Sequence, residues 1–268
     1  MNKIEVLIPS WNSGKTLEKC ITSILDTIPE PSIILIDNFS TDSTLQIAKK
    51  YSATVIQKEC NLGEARVYGI ETVKGEWFIF VDSDAYLHKD WFTEIMKWKN
   101  KFENAGIKLG AVAGENISIY EPCKSYTLAN RSKLRYPYNP ARFVQVSNAL
   151  IKTSAAKGFN GRMPVFEDYM LGNYIKEKGY EIYVVKAFAD HDYGKTWAEM
   201  AKHSRWGGAG MRLYQKKKPS PFKMLASVIY MPVFKSANRK FILYEIFVRW
   251  NRFIGYLCYN KYARLKRK

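Results

Sequence analysis

Trp77-Phe78-Ile79-Phe80-Val81-Asp82-Ser83-Asp84 is a run of aromatic and β-branched residues that ends in two carboxylates. Five such residues with no turn former among them predict a buried strand, with the acids at its carboxyl end. Side chains alternate in direction along an extended segment, so Asp82 and Asp84 point the same way and Ser83 points away. Two hard oxygen ligands facing one spot suit Mg²⁺ or Mn²⁺, ions that keep several waters and complete their shells with substrate phosphates. So short a motif recurs by chance, and in isolation it reads equally as a solvated turn.

The residues upstream set this strand in a repeating pattern. Residues 4–8 predict a strand, and Leu17, Cys20, Ile21, Ile24 and Leu25 follow at helical spacing. Ser32–Asp37 and residues 53–56 predict further strands, each followed by a helical stretch, the second over residues 63–73. Strand and helix in alternation imply an α/β fold with a mainly parallel sheet, helices on both faces and ligands at the carboxyl ends of the strands. Polar residues gather at those ends: Pro9-Ser10-Trp11-Asn12, Asp37-Asn38-Phe39-Ser40-Thr41-Asp42, and Asn61-Leu62-Gly63-Glu64-Ala65-Arg66.

Neither a G-x-G-x-x-G after the first strand nor a G-x-x-x-x-G-K-[ST] is present, which argues against a dinucleotide fold of the usual type and against a P-loop. Phosphate is then handled by a divalent cation on Asp82 and Asp84, assisted by Arg66. Asp37 is placed to accept from a base or ribose group, and its segment reads also as a turn with a helix cap.

Taken together, Ile8-Pro9-Ser10-Trp11-Asn12, Ile36 to Thr44, Asn61 to Arg66 and Phe80 to Asp84 resemble the family 2 glycosyltransferases of the GT-A fold, in the family's order. The resemblance is strong to about residue 90. It continues weakly through Asn148-Ala149-Leu150-Ile151 and Gly158-Phe159 to Phe166-Glu167-Asp168-Tyr169. It implies a Rossmann-like three-layer α/β/α sandwich, a nucleotide-diphosphate sugar donor, Mg²⁺ or Mn²⁺, and inversion at the anomeric carbon. Pro9, Ser10, Trp11, Asp37, Asn38, Arg66, Asp82 and Ser83 then match positions around the donor nucleotide. Trp11 reads equally as a stacking face and as a core aromatic. Asp84 becomes the direct metal ligand, with Asp82 beside it and His191 as a further ligand; a surface histidine is the alternative there.

Inverting transfer needs a base for the acceptor hydroxyl, and Asp168 is the residue expected to supply it. It opens a helix, where backbone donors hold a carboxylate, although Asp caps helices without any such role. Glu167 is expected to position the acceptor or the base. Arg205-Trp206-Gly207-Gly208-Ala209-Gly210 suggests a mobile basic loop over the diphosphate, or a hinge into the tail. Residues 116–142 read as an irregular excursion that shapes an acceptor site.

The 268 residues carry a net charge of +17, of which +14 lies in residues 212–268 and +3 in the rest. In the tail the basic residues alternate with Phe222, Leu225, Ile229, Phe234, Trp250 and Tyr256, which is too apolar for a solvated nucleic-acid arm. Its longest uncharged run, residues 224–234, is eleven long and broken by Pro232, short of the about 20 residues a spanning helix needs. Glu245, Arg249 and Arg252 share one helical face, so the tail reads as an amphipathic helical extension with its cations toward anionic lipid headgroups; a pair of ordinary helices packed on the main domain, with a solvated basic end from Lys261, is the alternative. The expected organisation is a catalytic domain over residues 1–211 and a membrane-associating extension over 212–268.

Four scattered cysteines without a C-x-x-C pair read as reduced thiols, and Glu5 interrupts any signal-peptide core, which together suggest a cytoplasmic protein on the inner membrane face. The expected activity moves a sugar, from UDP-sugar before GDP-sugar, to a hydroxyl or phosphate of a membrane-associated glycan or polyprenyl-phosphate-linked acceptor. A sugar nucleotidyltransferase would show a glycine-rich first loop ending in Arg, unlike Pro9-Ser10-Trp11-Asn12. A non-catalytic nucleic-acid or membrane binder would not need Asp37, Asp82, Asp84 and Asp168 together.

Overall fold

The structure, a computed structural model, describes residues 3–139, 144–215, 217–235 and 239–263. Its first half is β1 (Glu5–Ser10), α1 (Leu17–Thr27), β2 (Ser32–Asp37), α2 (Thr44–Lys50), β3 (Thr54–Gln57), α3 (Leu62–Thr72) and β4 (Trp77–Val81). There follow β5 (Ala85–Leu87), α4 (Trp91–Asn104), β6 (Leu109–Ser118), α5 (Cys123–Arg131), β7 (Asn148–Lys152), α6 (Thr153–Ala156), α7 (Glu167–Glu177) and β8 (Glu181–His191). Helices α8 (Trp197–Tyr214), α9 (Pro221–Tyr230), α10 (Ile242–Leu257) and α11 (Tyr259–Ala263) complete the chain.

One eight-stranded sheet has the order β3-β2-β1-β4-β7-β6-β8-β5. The pairs β1/β2, β2/β3 and β1/β4 are parallel, as the βαβ rhythm predicts. The pairs β4/β7, β6/β7 and β5/β8 are antiparallel, so the sheet is mixed and not mainly parallel. Successive residues of β1 and β4 feed opposite faces. Val6, Ile8, Ile79 and Val81 meet Leu17, Ile21 and Ile24 of α1 and Trp91 and Ile95 of α4. Leu7, Phe78 and Phe80 meet Val67 and Ile70 of α3 and Leu171 and Ile175 of α7. Burying each such side chain contributes about 1.5–3 kcal/mol, which fixes the register and with it the residues at the strand ends.

The chain divides into two compact units. The first, Met1–Ile117, Arg135–Met163 and Glu167–His191, holds the sheet. The second, Ser118–Leu134, Pro164–Phe166 and Asp192–Lys268, is helical. The boundary expected after residue 211 falls inside α8, which runs unbroken from Trp197 to Tyr214, so the second unit is larger than a tail. The glycine-rich segment from Arg205 is likewise helix and not a loop. A Cβ on Gly208 would collide with the Arg252 carbonyl oxygen, and one on Gly255 with the Arg205 backbone. These glycines therefore let α8 and α10 approach backbone to backbone. Residues 116–142, expected to be irregular, include the end of β6 and all of α5. Part of that stretch and the basic end, residues 264–268, lie outside the described residues.

Candidate active site

The strand-end loops are tied to one another by side-chain hydrogen bonds. Asn12 N donates to Ser40 Oγ (2.8 Å), Thr41 N to Asn12 Oδ1 (2.9 Å), and Ser13 N to Thr44 Oγ1 (2.8 Å). Asn12 and Phe39 both hold φ +50, a left-handed conformation that is uncommon outside glycine and concentrates at functional sites. Trp11 is 40% exposed and Phe39 56%, which sets both aromatic side chains outside the core at the loop tips.

Asp37 is fully buried. Its Oδ2 accepts from Ser40 N (2.9 Å) and Gln57 Nε2 (3.2 Å), and its Oδ1 from Ser40 Oγ (2.5 Å). It thus shapes its own loop, while Asn38 Oδ1 accepts from Cys60 N (3.1 Å). Ser83 is engaged as well, its Oγ 2.8 Å from Ser13 Oγ. Pro9 and Ser10 close β1 in buried positions, and Ser10 Oγ has no hydrogen-bond partner among the described residues.

Arg66 is 1% exposed, so it is neither solvated nor at the surface. A buried guanidinium is costly unless paired. Its Nη2 donates to Asp82 Oδ1 (2.8 Å), its Nε to Glu167 Oε1 (3.4 Å), and it lies over the Phe80 ring at 5.1 Å. Its Nη1 is buried with no partner among the described residues. The position follows from α3, which starts with a capping box: Glu64 N donates to Asn61 Oδ1 (3.1 Å) and Asn61 N to Glu64 Oε2 (2.8 Å). Gly63 lets the carbonyls of Gly161 and Met163 press against that helix start, where a Cβ would clash.

One ligand atom each from Asp82, Asp84 and His191 lies within 4.8 Å of the others. The β5/β8 ladder places Ala85 opposite His191, and His191 Nε2 stands 3.1 Å from Asp84 Oδ1. Oxygen donors with one imidazole are a set that Mn²⁺ or Mg²⁺ accepts. The charge around them fits a cation too. Arg66 meets Asp82 and Glu167, and Asp84 and Asp168 lie in the same cluster, so the carboxyl groups outnumber the cation. Burial pushes the Glu167 carboxyl up to about 7 against the pull of Arg66, and the charges of Asp168 and Asp82 add to the rise. Burial raises Asp168 also, opposed by the hydrogen bond from Tyr169 N (2.6 Å) and by Arg66.

Glu167 and Asp168 open α7, after a Phe166 held at φ +72. The two acids differ in surroundings. Glu167 is 7% exposed and engaged by Arg66, so it positions that guanidinium, whereas Asp168 keeps partial access to solvent. Next to Asp82 lies a buried polar network that the sequence did not reveal. Trp91 Nε1 donates to Asn148 Oδ1 (3.0 Å), Asn148 Nδ2 to Asn116 Oδ1, and Asn116 Nδ2 to Ser147 Oγ. Ser147 O in turn accepts from Asp82 N (3.2 Å). Paired asparagines on neighbouring strands, without obvious surface roles, were the available signal.

The sequence model of the family described as Glycosyl transferase family 2 matches residues 5–159, more than half of the chain. The chain belongs to that family. A poly(ribitol-phosphate) beta-glucosyltransferase of Bacillus spizizenii is 28% identical over 211 residues, 71% of this chain and 32% of the relative. This chain thus spans about a third of that relative's length. Two solved structures share the fold. The first is TarS 1-349 of S. aureus in complex with UDP-GlcNAc, at TM-score 0.54 and 15% identity over 97% of this chain and 90% of that one. The second is the mannosyltransferase PcManGT of Pyrobaculum calidifontis with GDP-Man and Mn²⁺, at TM-score 0.63 and 16% identity over 98% and 88%. In this family 2 chain the matched segment contains Arg66, Asp82 and Asp84, while Glu167, Asp168 and His191 lie beyond it.

The first unit therefore brings together Arg66, Asp82, Asp84, Glu167, Asp168 and His191. Arg205 is placed differently from expectation. It stands on α8 in the second unit and donates from Nε to Asn251 Oδ1 of α10 (2.9 Å), so the argument for a loop closing on diphosphate falls away.

Proposed function

We propose that the protein transfers a sugar from a nucleotide-diphosphate donor, UDP-linked before GDP-linked, to a hydroxyl or phosphate of a membrane-associated glycan or polyprenyl-phosphate-linked acceptor, with inversion. The observation that carries this reading is the convergence of Asp82, Asp84 and His191 on one spot beside a buried Arg66 with an unpartnered Nη1. Asp84, Asp82 and His191 would hold Mn²⁺ or Mg²⁺, which when bound supplies positive charge for the diphosphate leaving group. Arg66 Nη1 offers a charge-assisted donor to the same diphosphate, and Ser10 Oγ a hydroxyl to the nucleoside. Trp11 presents a face for the base. Asp168, with its raised proton affinity and access to solvent, takes the proton of the attacking acceptor hydroxyl, and Glu167 fixes Arg66 through its carboxylate. The relatives named for UDP-GlcNAc and for poly(ribitol-phosphate) support the UDP preference and a phosphate-bearing acceptor. The test is a panel of UDP-, GDP- and dTDP-sugars, each with and without Mn²⁺. Metal-dependent binding and slow hydrolysis of a UDP-sugar are expected, and no response to any donor would overturn the reading.

The acceptor is proposed to meet the enzyme at an anionic membrane on the cytoplasmic side. No helix among the described residues is long and apolar enough to cross a membrane. Helix α9 and the turn after it nonetheless expose Phe222 (79%), Ile229 (63%) and Phe234 (70%) in the part of the chain where the +14 is concentrated. Apolar side chains bared among lysines suit a surface of anionic headgroups. The face of α10 expected to reach those headgroups is divided. Glu245 is 8% exposed and Arg249 half-buried, whereas Arg252 is exposed. Substituting Ile229→Asp with Phe234→Asp should abolish cosedimentation with phosphatidylglycerol vesicles; unchanged cosedimentation would sink the membrane reading.

A further inference from the structure

A cavity of about 310 Å³ lies wholly within the second unit, among α5, α8, α10 and the segment before α8. We propose that it binds a phosphate group carried by the acceptor, held by Arg249 and Arg252. This rests on the glycosyl-transfer reading for the word acceptor; the phosphate chemistry stands on the cavity itself.

Arg249 and Arg252 are three residues apart on α10 and so share a face, and both line the cavity. Neither has an ion-pair partner among the described residues. Arg252 is exposed and Arg249 half-buried, and partial desolvation at the cavity wall, then the like charge of Arg249, lowers the proton affinity of Arg252 below the ordinary arginine value. Two cations three residues apart on one helix face repel one another modestly, which an anion between them would relieve. The close approach of Gly208 to the Arg252 carbonyl fixes where this part of α10 lies against α8. Glu245, 8% exposed, is the acid on the cavity wall, and it leaves a surplus of one positive charge.

The rest of the lining suits an oxyanion attached to a polyol or sugar. Tyr126, Tyr193 and Tyr244 bring hydroxyls, and burial raises the proton affinity of all three, so they stay neutral donors. His203 stands exposed at the wall as a further donor. Paired guanidinium forks match phosphate in geometry as well as charge, and tyrosine faces match the C–H surface of a sugar. The volume is at the small end of ligand pockets, enough for one phosphorylated unit and not for a nucleotide sugar.

The probes are ribitol 5-phosphate, ribitol as its uncharged counterpart, and phosphatidylglycerol vesicles, each titrated into the full chain. The variants are the double substitution Arg249→Gln with Arg252→Gln, and the double substitution to Lys. Saturable binding of ribitol 5-phosphate and none of ribitol is expected, weakened at least about tenfold by the Gln pair and largely retained by the Lys pair. Mn²⁺-dependent UDP binding should be unchanged in both, which also reports that the variants fold. If the Gln pair removes vesicle binding and soluble phosphate never binds, the assignment holds with a lipid headgroup as the source. If neither probe responds to the Gln pair, the assignment is overturned. Absent UDP binding in the unsubstituted chain, with arginine-dependent phosphate binding intact, would overturn the transferase reading alone.

Discussion

The two units each contain a polar site, and the sites are unbalanced in opposite directions. At the strand ends of the first unit, Arg66 is one cation among Asp82, Asp84, Glu167 and Asp168, and burial leaves Glu167 with a carboxyl raised to about 7. In the second unit, Arg249 and Arg252 face a cavity whose wall offers one carboxylate, Glu245. Like charges gathered in one place repel, and such places are where ligands of the opposite sign bind. The first site is short of positive charge, which a divalent cation would bring. The second is short of negative charge, which a phosphate brings. Their construction differs as well. The acids sit on loops and helix starts fixed by strand register, whereas the arginines sit on a helix fixed by glycine contacts.

The hardest blow to this contrast is Asp168→Asn. If the acid pair works as one base and one positioning group, removing the base should cut transfer by on the order of 10²–10⁴-fold. Asparagine keeps the acceptor oxygen for Tyr169 N, so α7 should still start at Glu167. Binding of UDP with Mn²⁺ should persist, because Asp82, Asp84 and Arg66 are untouched. Single-turnover transfer measured beside calorimetric UDP titration separates the two effects. Substantial transfer by the variant would move the base to Glu167 and make Asp168 a helix cap.

How far the sequence showed all this follows from how local each cause is. Strand alternation and helix spacing within residues 1–90 are short-range patterns, and β1 to β4 with their acids were legible from them. That Asp37 turns inward to its own loop was not, because a carboxylate at a strand end looks the same whether it faces Ser40 or a ligand. Arg66 as a buried ion-pair centre depends on Glu167, 101 residues away. The antiparallel half of the sheet was missed for the same reason, since β7 pairs with β4 across some seventy residues. In the second unit, the glycines from 207 to 210 read as a flexible loop by local propensity, and tertiary contact with α10 overrode it. The amphipathic pattern of α10 grouped Glu245, Arg249 and Arg252, and the three do line one cavity, but periodicity says which residues lie together and not what they lie against.

The smallest effect is a slope, and it sharpens the claim that the first site carries surplus negative charge. Glu167 has its proton affinity raised from 4.5 to about 7 in the folded protein. Between those values the native state holds a proton that the unfolded chain has lost. Stability from this group is therefore full below pH 4.5 and falls as pH rises toward about 7, after which it is level. Glu167→Gln removes the titration while keeping an oxygen for Arg66 Nε. In metal-free buffer the melting temperature of the parent relative to the variant should decline across that window and run parallel above it. Parallel curves throughout would mean that Arg66 fully offsets the burial of Glu167. The acid cluster would then be balanced without a cation, and the contrast with the arginine cavity would rest on the second unit alone.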